Sequence, residues 1–234
     1  ACRYFEGELS WAVLGDSHGV PIAYALADLV KDQGQSIVHL TFSGCGFGKP
    51  ADSDCRRWLS DAEEYILENN SIQSVVLSFR LLAQLYGRHE FIYPEIPKDK
   101  TDYEILEILS LYVGLIERLQ ASGKRVIWIM QPPEVGGSMV SLLRSITQDN
   151  TDAISVPFDW WVKRSGVIPE KVKKILHDDT HIVWPEELLC NPKINFCYAI
   201  KKSIALYRDR DHLSLEGAKI VVEDLLLNMD AAVE

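Results

Sequence analysis

Short apolar runs alternate with longer segments whose apolar residues recur at helical spacing, and this alternation extends to about the middle of the chain. The run at residues 74–78 is too continuously apolar for a half-exposed strand and is typical of a parallel strand covered on both faces. Right-handed crossovers between such strands place helices on both sides of one sheet. We therefore expect a three-layer α/β/α sandwich with a mainly parallel central sheet. The predicted strands are residues 11–14, 36–42, 74–78 and 125–130, and the predicted helices are residues 20–30, 55–68 and 103–121.

The remainder of the chain carries weaker signals. Residues 87–100 are rich in proline and charge and predict a surface loop, whereas residues 196–207 have β character. No internal repeat or linker marks a second domain, so we expect residues 1–234 to form a single domain. Helices are predicted near residues 139–146 and 170–176, a strand at residues 180–184, and a final helix at residues 213–229 with Ser214 as its N-cap.

Composition and charge narrow the classes of partner. The chain has 234 residues, of which 47% are hydrophobic, and this is enough for a sizeable core. The net charge of −10 comes without a run of basic residues or basic-aromatic interleaving, so nucleic acid is not an expected partner. No apolar run approaches the roughly 20 residues that span a bilayer. The chain begins at Ala1 without a methionine or a signal-peptide pattern, which suggests a mature or excised fragment of a longer protein.

Four of the five cysteines form two short-range pairs, Cys45 with Cys55 and Cys190 with Cys197. In an oxidising compartment each pair can close a small loop and stabilise the fold by about 2–3 kcal/mol. Free buried thiols in a cytosolic protein are the alternative. The spacings do not match the close cysteine pairs of structural zinc sites, and the histidines do not cluster near them, so no metal is expected. Cys2 is left without a partner.

Two polar motifs at opposite ends of the chain offer the parts of a nucleophilic site. Residues 15–18 read Gly-Asp-Ser-His and follow the first predicted strand, so Ser17 would lie at the carboxyl edge of the sheet beside a helix N-terminus. Asp209-x-x-His212 precedes the last predicted helix and supplies a base together with an acid that can hold its tautomer. Loops at one edge of a sheet can bring Ser17 and His212 together.

Each motif also has an ordinary interpretation. Residues 15–18 can be a strand-exit turn whose serine caps the following helix, and an Asp-x-x-His on a surface loop is usually only solvated. Asp211 competes with Asp209, but the residue next to His212 in sequence is poorly placed to bond its ring. The other histidines are weaker candidates: His18 is adjacent to Ser17 and points elsewhere in most turns, and His39, His89, His177 and His181 have no persuasive carboxylate pairing.

In combination, the two motifs resemble the SGNH (GDSL-like) hydrolase superfamily, and the resemblance covers nearly the whole chain. It implies a flavodoxin-like fold and a triad in which Ser17 is the nucleophile, His212 the general base and Asp209 the acid that orients it. It also implies an oxyanion hole formed by the backbone amides of Ser17 and of a glycine after the second strand, which is Gly44 or, alternatively, Gly46. No cofactor is implied.

The sequence departs from the superfamily after the third strand. An asparagine in a Gly-x-Asn-Asp-like loop normally stands there, whereas residues 78–83 read Ser-Phe-Arg-Leu-Leu-Ala. The third oxyanion donor is thus missing or replaced. Arg80 is a candidate for an oxyanion or substrate contact at this edge, and a pairing with a surface carboxylate is the alternative.

Several details look like the SGNH domains that are fused to acyltransferase-3 membrane proteins. These are the Gly-Asp-Ser-His start, the arginine after the third strand, the cysteine pair that begins in the second-strand loop, and the ending Leu-Tyr-Arg-Asp-Arg-Asp-His-Leu-Ser at residues 206–214. The resemblance implies a bacterial O-acetyltransferase of lipopolysaccharide O-antigen or another surface glycan. Its SGNH domain would lie in the periplasm as part of an inner-membrane protein. Its expected partners are a glycan acceptor and an acetyl donor, which the upstream membrane domain would pass on. The alternatives are a carbohydrate or lipid esterase with the same triad and a non-catalytic glycan-binding domain.

Overall fold

The computed structural model describes residues 2–87, 100–166, 168–176 and 180–231. Its strands are β1 (Cys2–Tyr4), β2 (Glu8–Gly15), β3 (Gln35–Thr41), β4 (Ser74–Ser78), β5 (Arg125–Ile129), β6 (Ala153–Val156), β7 (His181–Val183), β8 (Cys190–Asn191), β9 (Phe196–Lys201) and β10 (Ile204–Ala205). Its helices are α1 (Gly19–Val30), α2 (Asp54–Glu68), α3 (Leu81–Tyr86), α4 (Asp102–Ala121), α5 (Met139–Arg144), α6 (Phe158–Ser165), α7 (Ile168–Ile175), α8 (Pro185–Leu189) and α9 (Leu215–Ala231). None of the helices in these ranges combines the length and the apolar character needed to cross a bilayer.

The central sheet has the strand order β1-β3-β2-β4-β5-β7. The strands from β3 to β7 in this order are parallel, whereas β1 pairs antiparallel with β3 at the edge. The chain leaves β2 for β3 on one side and continues to β4 on the other side, so the strand order reverses at β2. In open α/β sheets, ligands bind at the carboxyl ends of the strands at such a point. Ser17 follows the end of β2 and lies at this position.

The central sheet separates two apolar cores. Along β2, Ala12 and Leu14 face one core and Trp11 and Val13 face the other, and β4 and β5 alternate in the same way. Helices α2 and α4 cover the first core, while α1 and α9 cover the second. All five residues of β4 are buried, which agrees with the apolar run at residues 75–77. The predicted three-layer α/β/α sandwich is confirmed.

All the strands and helices predicted up to residue 130 are present. The largest shift of a boundary is at β2, which begins at Glu8 rather than at residue 11. The short elements β1 and α3 were not predicted. The predicted loop at residues 87–100 lies, apart from its two ends, outside the described residues, as do His89 and His177.

A second, antiparallel sheet forms from β6, β8, β9 and β10. The predicted β segment at residues 196–207 is a hairpin of β9 and β10, whose turn residues Lys202 and Ser203 have φ values of 50° and 63°. The sequence did not predict this sheet, because β6 has 4 residues and β8 and β10 have 2 each. Such short strands carry too little hydrophobic pattern to be recognised.

Both predicted cysteine pairs are disulfide-bonded in the structure. The Cys45–Cys55 bridge closes the loop between β3 and α2, and Cys190–Cys197 joins β8 to β9. Cys2 is free and exposed. The first bridge constrains the loop that carries Gly44, close to the carboxyl end of β2.

Candidate active site

Ser17 is held at the end of β2 by a turn that requires a glycine and an aspartate. A Cβ on Gly15 would lie 2.0 Å from a backbone carbonyl oxygen at the end of β4, so only glycine lets the two strands run this closely. The buried carboxylate of Asp16 accepts hydrogen bonds from the backbone N–H groups of His18 and Arg80, each at 2.9 Å. The turn is thereby fixed to the β4–α3 connection. Ser17 lies at its tip, immediately before α1.

His212 is held by the aspartate three residues before it. One oxygen of Asp209 accepts the backbone N–H groups of Asp211 and His212, at 3.1 and 2.9 Å, and this folds the segment into a tight turn. The other oxygen lies 2.9 Å from Nδ1 of His212. With Nδ1 facing a carboxylate, the ring carries its proton there and leaves Nε2 as an acceptor. Ser214 caps α9 by accepting the N–H of Gly217 at 3.0 Å, so the turn continues directly into a helix.

The two motifs meet at the carboxyl edge of the sheet. Nε2 of His212 lies 2.8 Å from Oγ of Ser17, so Ser17, His212 and Asp209 form a continuous hydrogen-bonded chain. Burial by itself lowers the pKa of His212, but the carboxylates of Asp211 and Asp209 raise it above its ordinary value. Burial raises the pKa of Asp209, but hydrogen bonds from the backbone N–H groups of His212 and Asp211 lower it below its usual range. Asp209 is therefore ionised and favours the imidazolium that forms when His212 takes a proton.

A second set of charges lies on the buried side of His212. Oδ1 of Asp211 lies 3.4 Å from Nδ1 of His212. Its Oδ2 lies 3.4 Å from Nε2 of His18 and 3.0 Å from the guanidinium of Arg80. The other terminal nitrogen of Arg80 contacts Glu134 at 3.0 Å. Asp211, which sequence reasoning set aside in favour of Asp209, thus faces the same ring nitrogen from a greater distance.

Glu134 and Arg164 complete this set, and sequence reasoning did not single out either residue. Their side chains are 1% and 2% exposed, and Nε of Arg164 donates to Glu134 at 2.5 Å. Gln131 donates to the same carboxylate at 3.0 Å. A signal for Glu134 existed, since it follows two prolines at the carboxyl end of a predicted strand, where sites form. Arg164 belongs to an amphipathic helix pattern and carried no such signal.

Arg80 lies at the cleft, after the third predicted strand, as the sequence placed it. Its side chain is 12% exposed, and its two terminal nitrogens contact Asp211 and Glu134. The partners are therefore carboxylates of the protein interior rather than of the surface.

The backbone N–H groups of Ser17 and Gly44 are placed differently from that of Gly46. Ser17 and Gly44 both line one cleft, and among the hydrogen bonds of the described residues neither N–H has an acceptor. Gly44 has a φ of 68°, in the left-handed region that favours glycine. Gly46 does not line the cleft, and its N–H lies 3.2 Å from Sγ of Cys55. Of the two candidate glycines, Gly44 is thus the one that lines the cleft together with Ser17.

The cleft over Ser17 holds about 520 Å³. A larger one of about 720 Å³ lies at the amino edge of the sheet, and no histidine lines it among the described residues. The cleft over Ser17 is bordered mostly by polar side chains and glycines, which are Asp16, Ser17, Ser43, Gly44, Gly48, Lys49, Arg80, Ala83, Gln84, Gly87, Lys100, Asp211 and His212.

Within the described residues, one group of side chains brings potential metal-ligand atoms together. The ligand atoms of His18, Asp211 and His212 lie within 4.8 Å of one another. Asp211 is already bonded to Arg80, and Nε2 of His212 is bonded to Ser17. We therefore assign no metal to this group.

A family model described as the SGNH domain fused to AT3 domains matches residues 1–226. The chain belongs to this family. The comparison with curated proteins gives no match. The solved structures described next are 10–15% identical to this SGNH domain, and a likeness at this level shows the fold alone.

Three of these structures illustrate the shared fold. The periplasmic domain of the lipopolysaccharide acetyltransferase of Salmonella ser. Paratyphi A is 15% identical, with a TM-score of 0.65 over 96% of this chain and 85% of that chain. The carbohydrate acetylesterase Est24 of Sinorhizobium meliloti is 13% identical, with a TM-score of 0.53 over 96% and 99% of the two chains. An aryl esterase of M. smegmatis is 10% identical, with a TM-score of 0.55 over 95% and 99%.

Proposed function

We propose that this SGNH domain, as one unit over residues 1–234, transfers an acetyl group through Ser17 to a hydroxyl group of a bacterial surface glycan such as lipopolysaccharide O-antigen. The observation that carries the proposal is the hydrogen-bonded chain of Ser17, His212 and Asp209 at a strand-order reversal. The family, described as fused to AT3 domains, and the shared fold of a lipopolysaccharide acetyltransferase domain support it. An upstream membrane domain would pass on the acetyl group, and the two disulfides suit a periplasmic location.

The first step would load the serine. Oγ of Ser17 attacks the carbonyl carbon of the acetyl donor while Nε2 of His212 takes the hydroxyl proton. The backbone N–H groups of Ser17 and Gly44 donate hydrogen bonds to the oxyanion that develops. When the tetrahedral intermediate collapses, the bond to the leaving group breaks and that group takes the proton from Nε2. The acetyl group then remains as an ester on Ser17.

The second step would discharge the ester. A sugar hydroxyl enters the cleft, His212 takes its proton, and the hydroxyl oxygen attacks the ester carbonyl. The bond to Ser17 breaks, and Oγ recovers the proton from His212. The polar lining of the cleft suits an acceptor rich in hydroxyl groups.

A second candidate function is hydrolysis by the same residues, with water in place of the sugar. The shared fold of a carbohydrate acetylesterase favours it. A glycan-binding domain without catalysis is the third outcome that the experiment below distinguishes.

The test supplies 4-nitrophenyl acetate as an activated acetyl donor, with and without an O-antigen polysaccharide, and follows free acetate and acetylated sugar. Transfer predicts that acetylated sugar forms at the expense of acetate, whereas hydrolysis predicts acetate alone. Ser17→Ala should abolish both products, and Ser10→Ala, a serine at the opposite end of β2, should retain both. A folded wild-type protein that yields neither product and is not labelled by a fluorophosphonate probe would contradict the proposal and favour binding alone.

A further inference from the structure

Asp211 contacts the imidazoles of two histidines from the buried side of the cleft. Its two oxygens lie 3.4 Å from Nδ1 of His212 and 3.4 Å from Nε2 of His18, and the two rings lie 4.7 Å apart between centroids. The residue is 8% exposed. Asp211 thus gives the His212 ring a second carboxylate contact, in addition to Asp209.

A series of buried ion pairs with alternating charge begins at Asp211. It passes through Arg80 and Glu134 and ends at Arg164. Arg80 lies 3.0 Å from Asp211 and 3.0 Å from Glu134, and Arg164 contacts the other oxygen of Glu134. The two guanidinium groups and the two carboxylates sum to zero charge. Direct ion pairs join each member to the next, so we treat the four side chains as one unit.

The four residues come from separate segments of the fold. Arg80 follows β4, Glu134 follows β5, Arg164 lies in α6, and Asp211 lies in the turn before α9. A backbone hydrogen bond of 2.6 Å from Val135 to the carbonyl of Arg210 fastens the same turn to the segment after β5. The turn that carries His212 is therefore attached to the edge of the central sheet by charge and by backbone.

We propose that Asp211 is a second positioning carboxylate for His212, and that Arg80, Glu134 and Arg164 hold it in place. Arg80 would then serve the reaction through Asp211 rather than by touching the substrate. This inference rests on the proposed function, in which His212 is the base. Buried ion pairs stabilise a fold little compared with apolar residues of the same size, so a unit of this kind that ends on the ring of the base fits a positioning role.

The pKa of His212 depends on all the charged and titratable groups near its ring, including Asp211. Asp209 and Asp211 face the ring from its own turn, His18 faces it from the start of α1, Arg80 reaches it through Asp211, and Arg208 lies against Asp209. Burial raises the pKa of Asp211, but hydrogen bonds from His18 and His212 and the charge of Arg80 lower it far below its usual range. Asp211 is thus an anion throughout the neutral range, and it raises the pKa of His212.

The first test is the titration of His212 by ¹⁵N NMR, which needs no turnover. Asp211→Asn should lower the pKa of His212, because the ring loses one of its two carboxylates. Asp28→Asn is the matched control, since Asp28 is ion-paired with Lys31 and Lys219 on a different surface and should leave the titration unchanged. An unchanged pKa of His212 in Asp211→Asn would overturn the proposal.

The second test uses kcat and KM for 4-nitrophenyl acetate. Asp211→Asn should lower kcat by about 10- to 100-fold with little change in KM, because the base is misplaced while binding is kept. The acid limb of its pH–rate profile should move to lower pH, since His212 acts only when neutral and now loses its proton more easily. A wild-type kcat and a wild-type acid limb in this variant would overturn the proposal.

The third test asks whether Arg80 acts through Asp211. Arg80→Gln should lower kcat in the wild type and add little in the Asp211→Asn background, whereas a direct substrate contact would multiply the two losses and overturn this part. If Arg80→Gln does not fold, Glu134→Gln keeps the shape of its side chain and makes the same comparison. A wild-type protein without serine-dependent activity would defeat the proposed function, but the NMR titration would still decide the role of Asp211.

Discussion

Two carboxylates of one turn lie near the same ring nitrogen of His212, and they differ in exposure and in what supports them. The side chain of Asp209 is 45% exposed, lies 2.9 Å from Nδ1, and is held by backbone N–H groups of its own turn. The side chain of Asp211 is 12% exposed, lies 3.4 Å from the same nitrogen, and is held by Arg80. The exposed acid is held within its own turn, by backbone N–H groups and by the neighbouring Arg208. An acid buried beside the base needs a charge brought from another part of the chain.

The largest effect is expected from a substitution of Asp209, the more exposed of the two carboxylates. Asp209→Asn should lower kcat by about 10³- to 10⁴-fold, because an amide no longer fixes the tautomer of His212 or stabilises the imidazolium. The free energy of unfolding should change by less than about 1 kcal/mol, since the amide oxygen still accepts the backbone N–H groups and the site is partly solvated. Kinetics with 4-nitrophenyl acetate and urea unfolding measure the two quantities. A variant with near wild-type kcat would show that Asp209 is not the orienting acid.

Removal of a carboxylate from the buried ion pairs should mainly lower the stability of the fold. Glu134→Ala leaves Arg80 and Arg164 without their shared carboxylate and should lower the free energy of unfolding by about 3–5 kcal/mol. Glu63→Ala is the control, because its partner Arg118 has a side chain that is 55% exposed, and the loss there should stay below about 1 kcal/mol. Equal losses in the two variants would remove the distinction between a buried and a solvated carboxylate.

The smallest effect concerns the local support of the turn. Ser214→Ala removes the cap of α9 and should cost about 1 kcal/mol of stability, with kcat near the wild-type value. The Ser214 hydroxyl also donates to the carbonyl of Ala205 at 2.7 Å, but neither of its hydrogen bonds reaches the His212 ring, so the loss should affect stability rather than kcat. A large fall in kcat at unchanged stability would show that the cap positions His212.

The fold was predictable where each element carries its own pattern. The strands β2 to β5 are apolar runs between amphipathic helices, and the alternation of apolar and helical segments is enough to indicate the layers. The second sheet was not predictable, since β8 and β10 have 2 residues each and exist because β9 offers them a partner. Its strands depend on tertiary context rather than on local pattern.

The residues of the candidate site also differ in whether a local sequence pattern or only the tertiary structure brings them together. Ser17, Asp209 and His212 stand in two short motifs whose spacing indicates a turn and a pairing, and the structure brings the three together. Asp211, Arg80 and Glu134 are far apart in the sequence, so no motif with a fixed spacing indicates their contact. They meet only when the sheet edge and the turn before α9 pack against one another. An acid that lies in the same motif as His212 can be predicted from the sequence, whereas the distant side chains that contact Asp211 cannot.

Acetyl transfer by the proposed route requires Ser17 to carry the acetyl group as a covalent ester. Mass spectrometry of the intact protein, quenched with acid shortly after mixing with 4-nitrophenyl acetate, tests it most directly. We expect an adduct with the mass of one acetyl group, located on Ser17 by peptide fragmentation, missing in Ser17→Ala, and discharged faster when a polysaccharide acceptor is present. Turnover at the wild-type rate by Ser17→Ala, or an acetyl group on another residue that is discharged at the rate of turnover, would contradict it.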